Sequence, residues 1–181
     1  MDYIFSTADP KIKPIYFVIA IILAFIIKIV TDIYRRQGKI TKAQSVASNV
    51  LITYIFLVFA STVFSRTPKE HYSYELIPFW SYLQIVKGSK SLFWEDVLNV
   101  IMLFPIGVLL PIVIKDGGKS KRFRTVILIG FSTSLTIELL QLFTKRGLFE
   151  FDDMIHNTLG VAIGYWCCCA LGRSHKDFIK S

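Results

Sequence analysis

The sequence predicts an all-α, polytopic membrane helix bundle with about five transmembrane helices, and three observations carry that prediction. Of the 181 residues, 53% are hydrophobic, and the mean hydropathy is +0.52. The apolar residues gather into five stretches near the length a helix needs to span hydrocarbon, about 20 residues at 1.5 Å each. Lys and Arg are divided unevenly between alternate connections, the pattern that orients membrane helices.

The first span is expected over residues 15–30. Its basic flank, Lys28, Arg35, Arg36, Lys39 and Lys42, follows the apolar run, and no small-residue cleavage site comes after Val30. A retained anchor with its N-terminus outside is expected rather than a signal peptide. The second span covers 49–64. The segment 65–96 then reads as an outer loop with Pro68, Pro78, Gly88 and the aromatics Tyr72, Tyr74, Phe79, Trp80, Tyr82, Phe93 and Trp94. Such density of Tyr and Trp beside apolar spans fits an interfacial belt resting on headgroups, or a lid over a polar site.

The third span, 97–114, carries Asn99 near its start and Pro105 and Gly107 near its middle. A mid-membrane proline frees a backbone carbonyl and permits a kink. The fourth, 125–143, bears a polar stripe: Ser134, Glu138, Gln141 and Lys145 fall at i, i+4, i+7 and i+11. The fifth, 154–171, continues a second stripe of Asp153, Asn157, Gly160 and Gly164. Gly160-Val-Ala-Ile-Gly164 is a small-xxx-small pattern that lets another helix approach closely. Cys167, Cys168 and Cys169 are consecutive, so they point in different directions and read as small apolar packing residues.

Charge assigns the faces. One side collects 13 Lys/Arg against Asp32, Asp116 and Asp177; the other has 8 Lys/Arg and nine acids, with Glu138 inside a span. The basic side is expected to be cytoplasmic, putting the N-terminus outside and the C-terminus in the cytoplasm. The net charge of +8 thus has a membrane explanation, and with no soluble domain to present a basic patch, nucleic acid is not an expected partner.

With that orientation, the unusual polar residues converge on the outer leaflet from four of the five helices. A carboxylate at membrane depth, such as Glu138, costs several kcal/mol unless it is paired or functional. The candidate ligand-binding set is Arg66, Asn99, Glu138, Gln141, Arg146, Asp152, Asp153 and Asn157. Arginine forks suit phosphate or carboxylate, and the amides suit sugar hydroxyls or the arginines themselves. Glu138, Asp152 and Asp153 are also the candidate catalytic residues and candidate ligands for a hard divalent cation. Structural readings stand beside these. Asp152 or Asp153 can cap the fifth helix, Asn99, Gln141 and Asn157 can bond between helices, Glu138 can pair with Arg66 or Arg146, and His156 can be a packing residue. No Walker lysine, HExxH pair or nucleophile elbow is present, so the balance leans away from an enzyme.

The run Ser134-Leu-Thr-Ile-Glu138-Leu-Leu-Gln141, followed by Arg146-Gly-Leu-Phe-Glu-Phe-Asp152-Asp153-Met-Ile-His-Asn157-Thr-Leu-Gly160-Val-Ala-Ile-Gly164, resembles the VanZ-like family. So does Asn99-Val-Ile-Met-Leu-Phe104-Pro105-Ile-Gly107-Val-Leu-Leu-Pro111, and more weakly Arg66 with Pro78-Phe79; the resemblance spans roughly 64–165. The family's Glu, Gln, Arg, Asp-Asp and Asn positions are filled by Glu138, Gln141, Arg146, Asp152, Asp153 and Asn157. The resemblance implies a multi-pass protein of the bacterial cell membrane associated with resistance to teicoplanin and related lipoglycopeptides. The residues add an expected location, an outward-facing polar pocket suited to a lipid-linked envelope precursor or a lipid headgroup. An envelope-modifying enzyme using metal-assisted hydrolysis or transfer on a phosphate-bearing lipid, and a structural scaffold, are the alternatives. No energy-coupling motif is visible, so active efflux is not expected.

Overall fold

A computed structural model describes residues 12–114 and 118–180, with side chains to residue 172. Lys115, Asp116 and the charged side chains of the tail from Arg173, which carry part of the charge asymmetry, lie outside the described residues, as do the acids and Lys11 of the first eleven positions.

Among the described residues, five helices are long and apolar enough to cross a membrane. Helix α1, Pro14–Arg36, opens on a proline, whose missing N–H costs nothing in a first turn, and closes with Arg35 and Arg36 against its negative dipole end. Helix α2, Lys42–Phe59, starts with a full capping box between Thr41 and Gln44 and runs on into a π-helical turn, Ala60–Phe64. A short helix α3, Trp80–Val86, precedes α4, Lys90–Val113, which Ser89 caps. Helix α5, Lys119–Thr144, ends at Lys145, whose left-handed φ of 56° closes the helix where glycine is usual; Arg146 N–H donates to the Gln141 carbonyl. Helix α6, Phe151–Lys180, follows after a four-residue connection and a short strand.

The helices start earlier than the apolar runs. Expected at 97, α4 begins at Lys90; expected at 49, α2 begins at Lys42; expected at 125 and 154, α5 and α6 begin at Lys119 and Phe151. Apolarity marks only the hydrocarbon-spanning part of a helix, and good helix formers such as Lys, Gln, Ala and Glu carry it beyond. Nor is 65–96 loop throughout. It holds α3 and the strand β1, Tyr74–Glu75, which pairs in parallel with β2, Phe149–Glu150, tying this segment to the α5–α6 connection.

The core gathers around the α4–α6 contact, with Leu103, Ile106 and Leu110 of α4 packed among Leu51, Val58, Val63, Val126, Ile137, Val161 and Tyr165. The backbones approach so closely that a Cβ on Gly160 would stand 2.0 Å from the Val100 carbonyl oxygen, and one on Gly164 would stand 2.2 Å from that of Phe104. Gly107 answers from α4, where a Cβ would lie 2.0 Å from the Val161 oxygen. The small-residue pattern thus has a specific partner. Helix α4 continues through Pro105 and Pro111, and neighbours bond its carbonyls: Tyr54 donates to Met102 O at 2.7 Å and Gln44 Nε2 to Val113 O at 3.1 Å. Helix α1 is held to α2 by Ser45 donating to Thr31 at 2.9 Å and Asn49 to Ala24 O at 2.8 Å. Cys169 packs at the core margin whereas Cys167 is exposed.

Candidate functional site

The polar residues meet at the end of the bundle where α4 and α6 begin and α2 and α5 finish. Glu138, 1% exposed, sits nearly two helical turns below the end of α5, and its Oε2 accepts the Glu150 N–H at 3.0 Å. This carboxylate therefore holds the strand that leads into α6. Gln141 and Arg146, also from the close of α5, turn to α2: Gln141 Nε2 donates to Thr62 O at 3.2 Å and Arg146 Nη1 to Phe64 O at 3.1 Å. They satisfy carbonyls in the final turn of a helix, which lack intrahelical partners. Lys145 Nζ donates to Glu70 O at 3.2 Å and lies 4.8 Å from the centre of the Tyr72 ring.

Asp152 and Asp153 are adjacent in sequence but serve different neighbours. Asp152 Oδ1 accepts the Phe79 N–H at 2.6 Å, and Oδ2 accepts the N–H and hydroxyl of Ser81 at 2.9 and 3.0 Å. It caps α3 from another element, while Phe79, the residue at the cap position, adopts φ 62° and supplies no side-chain cap. Asp153 faces α4, where Asn99 Nδ2 donates to its Oδ1 at 2.6 Å. One turn further along α6, Asn157 donates to Ser134 Oγ at 3.0 Å, and its own Oδ1 is buried without a hydrogen-bond partner.

His156, 3% exposed, projects toward α4 and α3 together. Its Nε2 is 2.8 Å from the Tyr82 hydroxyl, and its Nδ1 is 3.5 Å from Oδ1 of Asp96, which is 8% exposed. That separation is too long for a good hydrogen bond, and Nδ1 has no hydrogen-bond partner. One ligand atom each of Asp96, Asp153 and His156 lies within 4.8 Å of the others. Of the three acids expected to hold a cation, Asp153 is in this group; Glu138 and Asp152 are bonded to the backbone of β2 and α3.

Charge at this end is lopsided. Glu95, Asp96, Glu138, Glu150, Asp152 and Asp153 lie around it, and Arg66, just past the π turn, is within electrostatic range of Glu95 and Glu138. The Arg66 Nε is buried without a hydrogen-bond partner. Burial, and next the charge of Glu95, pushes the Glu150 carboxyl up to about 7.

All eight residues of the expected binding set thus lie around one end of the bundle, but they do not form a single ring about a cavity. Gln141, Arg146 and Asp152 are engaged in fixing helix ends, and two surface grooves lie elsewhere, one along α5 beside Phe59, the other between α1 and α2 beside Lys28 and Arg35. Sequence reasoning gave Asp96 and His156 no ligand role. Their signal was the i, i+3 spacing that puts Asp153 and His156 on one face of α6 and Asp96 and Asn99 on one face of α4.

Neither a curated protein nor a solved structure matches the chain. A family model described as VanZ/LLP1 does, over residues 45–172. That span runs from the first turn of α2 through the described side chains of α6, and takes in every polar residue of the acid-rich end. This five-span membrane protein belongs to the VanZ/LLP1 family.

Proposed function

We propose that the protein resides in the bacterial cell membrane and binds the polar headgroup of a lipid, or of a lipid-linked envelope precursor, at its acid-rich end, thereby lowering access of teicoplanin-type lipoglycopeptides to their membrane-proximal target. The drug class is suggested by the family resemblance, and the geometry of the acid-rich end supports the choice of site. The observation that carries the reading is the Nε of Arg66, buried without a hydrogen-bond partner on a guanidinium within electrostatic range of Glu95 and Glu138. Buried donors are nearly always satisfied, and an unpartnered guanidinium N–H suits an incoming phosphate or carboxylate. The rim supports this. Lys145 and Arg146 bond backbone carbonyls of the same end, and the flanking segment is rich in exposed Tyr and Trp such as Tyr72, Tyr74 and Trp94, fit to lie among headgroups.

The test is native mass spectrometry with lipid analysis of the purified protein, wild type beside Arg66→Gln, together with teicoplanin susceptibility of cells at matched protein abundance. A phosphate-bearing lipid that co-purifies with wild type and is lost from the variant, with susceptibility rising, supports the reading. Equal lipid content and equal susceptibility sink it. A lipid chemically altered only in cells holding the wild type would replace binding with catalysis, and a difference in susceptibility that vanishes once abundance is matched would leave a scaffold.

A further inference from the structure

We infer that Asp96, Asp153 and His156 form a binding site for one first-row divalent cation, Mn²⁺ or Zn²⁺, shared between α4 and α6. The three ligand atoms lie within 4.8 Å of one another. Neighbouring ligands of one ion, each at about 2.0–2.2 Å, stand roughly 3.0–3.8 Å apart; His156 Nδ1 and Asp96 Oδ1 are already 3.5 Å apart, and closing the remaining separations on a cation takes side-chain shifts of up to roughly 1–1.5 Å.

The independent observation is the imidazole. His156 is almost fully buried, its Nδ1 lies 3.5 Å from a carboxylate oxygen of Asp96, and that nitrogen has no hydrogen-bond partner. Its other nitrogen is occupied by the Tyr82 hydroxyl at 2.8 Å. When Nε2 carries the proton and donates it to Tyr82, Nδ1 presents a lone pair to two carboxylates, an arrangement that repels unless something positive stands between. A metal-bound histidine typically has its second nitrogen held in this way by an outer partner, which fixes the tautomer. Asn99 does the same for Asp153, donating to its Oδ1 at 2.6 Å.

Charge argues the same way. Two carboxylates and a neutral imidazole balance a divalent cation, at an end where four further carboxyl groups, Glu95, Glu138, Glu150 and Asp152, outnumber the guanidinium groups of Arg66 and Arg146. Mixed imidazole and carboxylate ligands favour Mn²⁺ or Zn²⁺ over Ca²⁺ or Mg²⁺, which prefer oxygen alone. Three protein ligands leave coordination positions open. On the reading proposed above, and resting on it, those positions would take phosphate oxygens of the headgroup.

The experiment uses the full chain in detergent, stripped with chelator and without added lipid. Mn²⁺ binding is counted by loss of the free-ion electron paramagnetic resonance signal, and Zn²⁺ by its competition. The expected result is one ion per chain, with affinity at least tenfold weaker in Asp153→Asn and Asp96→Asn, about tenfold weaker in Tyr82→Phe, and unchanged in Glu70→Gln. Pulsed resonance on wild-type protein with Mn²⁺ bound should show coupling to one histidine nitrogen, so the inference stays falsifiable even where a variant fails to fold. Cooperatively melting wild type that takes up neither ion, bound Mn²⁺ without nitrogen coupling, or a well-folded Asp153→Asn with wild-type affinity would each overturn it. Because no lipid is present, these outcomes are separate from the Arg66 test, whose failure would leave the cation site standing without a headgroup.

Discussion

Asp152 and Ser81 lie 71 residues apart in the chain, yet one carboxylate oxygen of the former accepts both the backbone N–H and the hydroxyl of the latter. With Phe79 N–H on the other oxygen, α6 supplies the cap that α3 lacks in its own sequence. Removing an N-cap costs about 1–2 kcal/mol. Asp152→Ala is therefore expected to loosen α3 while leaving the spans intact. Hydrogen exchange at the amides of 79–86 should rise well above wild type, with little change in residues 97–113. Equal exchange in both proteins would show that α3 is held by something other than this cap.

The α4–α6 contact predicts a contrast between two glycines. Alanine at Gly160 would drive its Cβ into the Val100 carbonyl, a backbone atom fixed in a helix. Alanine at Gly130 meets the side chain of Val161, at 2.6 Å, rather than a backbone atom. Overpacking typically costs about 1–3 kcal/mol, more where backbone must shift. Gly160→Ala should cost about 3 kcal/mol and Gly130→Ala about 1 kcal/mol, read as loss of folded, monodisperse protein and lowered melting temperature in detergent. The reverse order would mean that the helices are not seated as described.

Gln44 links the start of α2 to the end of α4. Its Oε1 accepts the Thr41 N–H at 3.0 Å while its Nε2 donates to Val113 O. Gln44→Glu preserves the first bond and replaces the donor of the second with an oxygen facing a carbonyl. The expected cost is about 1–3 kcal/mol, whereas a capping box acting alone would tolerate the change. Thermal unfolding of the two proteins decides between them.

Orientation can be tested at two positions separated by the length of α4. Lys87 and Ser120 are both exposed, one before α4 begins and one after it ends. In a chain with Cys167, Cys168 and Cys169 replaced by serine, Lys87→Cys should react with an impermeant maleimide on intact cells and Ser120→Cys only after lysis. Labelling of Ser120→Cys alone from outside would invert the topology read from the basic residues.

The five spans were legible because a bilayer imposes a long apolar run on each, and the glycine pattern of α6 was legible because close backbone approach excludes a Cβ. Helix ends were not. The stretch Lys90–Asp96 is polar enough to resemble a loop, and nothing local says that Ser89 opens a helix there. The β1–β2 pairing joins residues 75 positions apart through two residues of strand each, too few for any alternation to show. The acid-rich end was legible as a collection of residue types and their stripes. The division of labour inside it was not, because Asp152 and Asp153 differ only in which neighbour each one meets. His156 looked like a packing residue for the same reason: Asp96 and Tyr82, which define its surroundings, lie on segments that only the folded chain brings near it.

The π turn Ala60–Phe64 has a consequence for the phase of the chain. Ser65 N–H reaches back five residues to the Ala60 carbonyl, so this turn holds one residue more than an α-helical turn would. Each residue of an α-helix advances the chain by about 100°. Without the extra residue, everything after it would be rotated by roughly that angle, turning Arg66 away from Glu95 and Glu138. The turn acts as a one-residue spacer that aims the site's guanidinium, so deleting a single residue here should disarm the site more thoroughly than many substitutions within it.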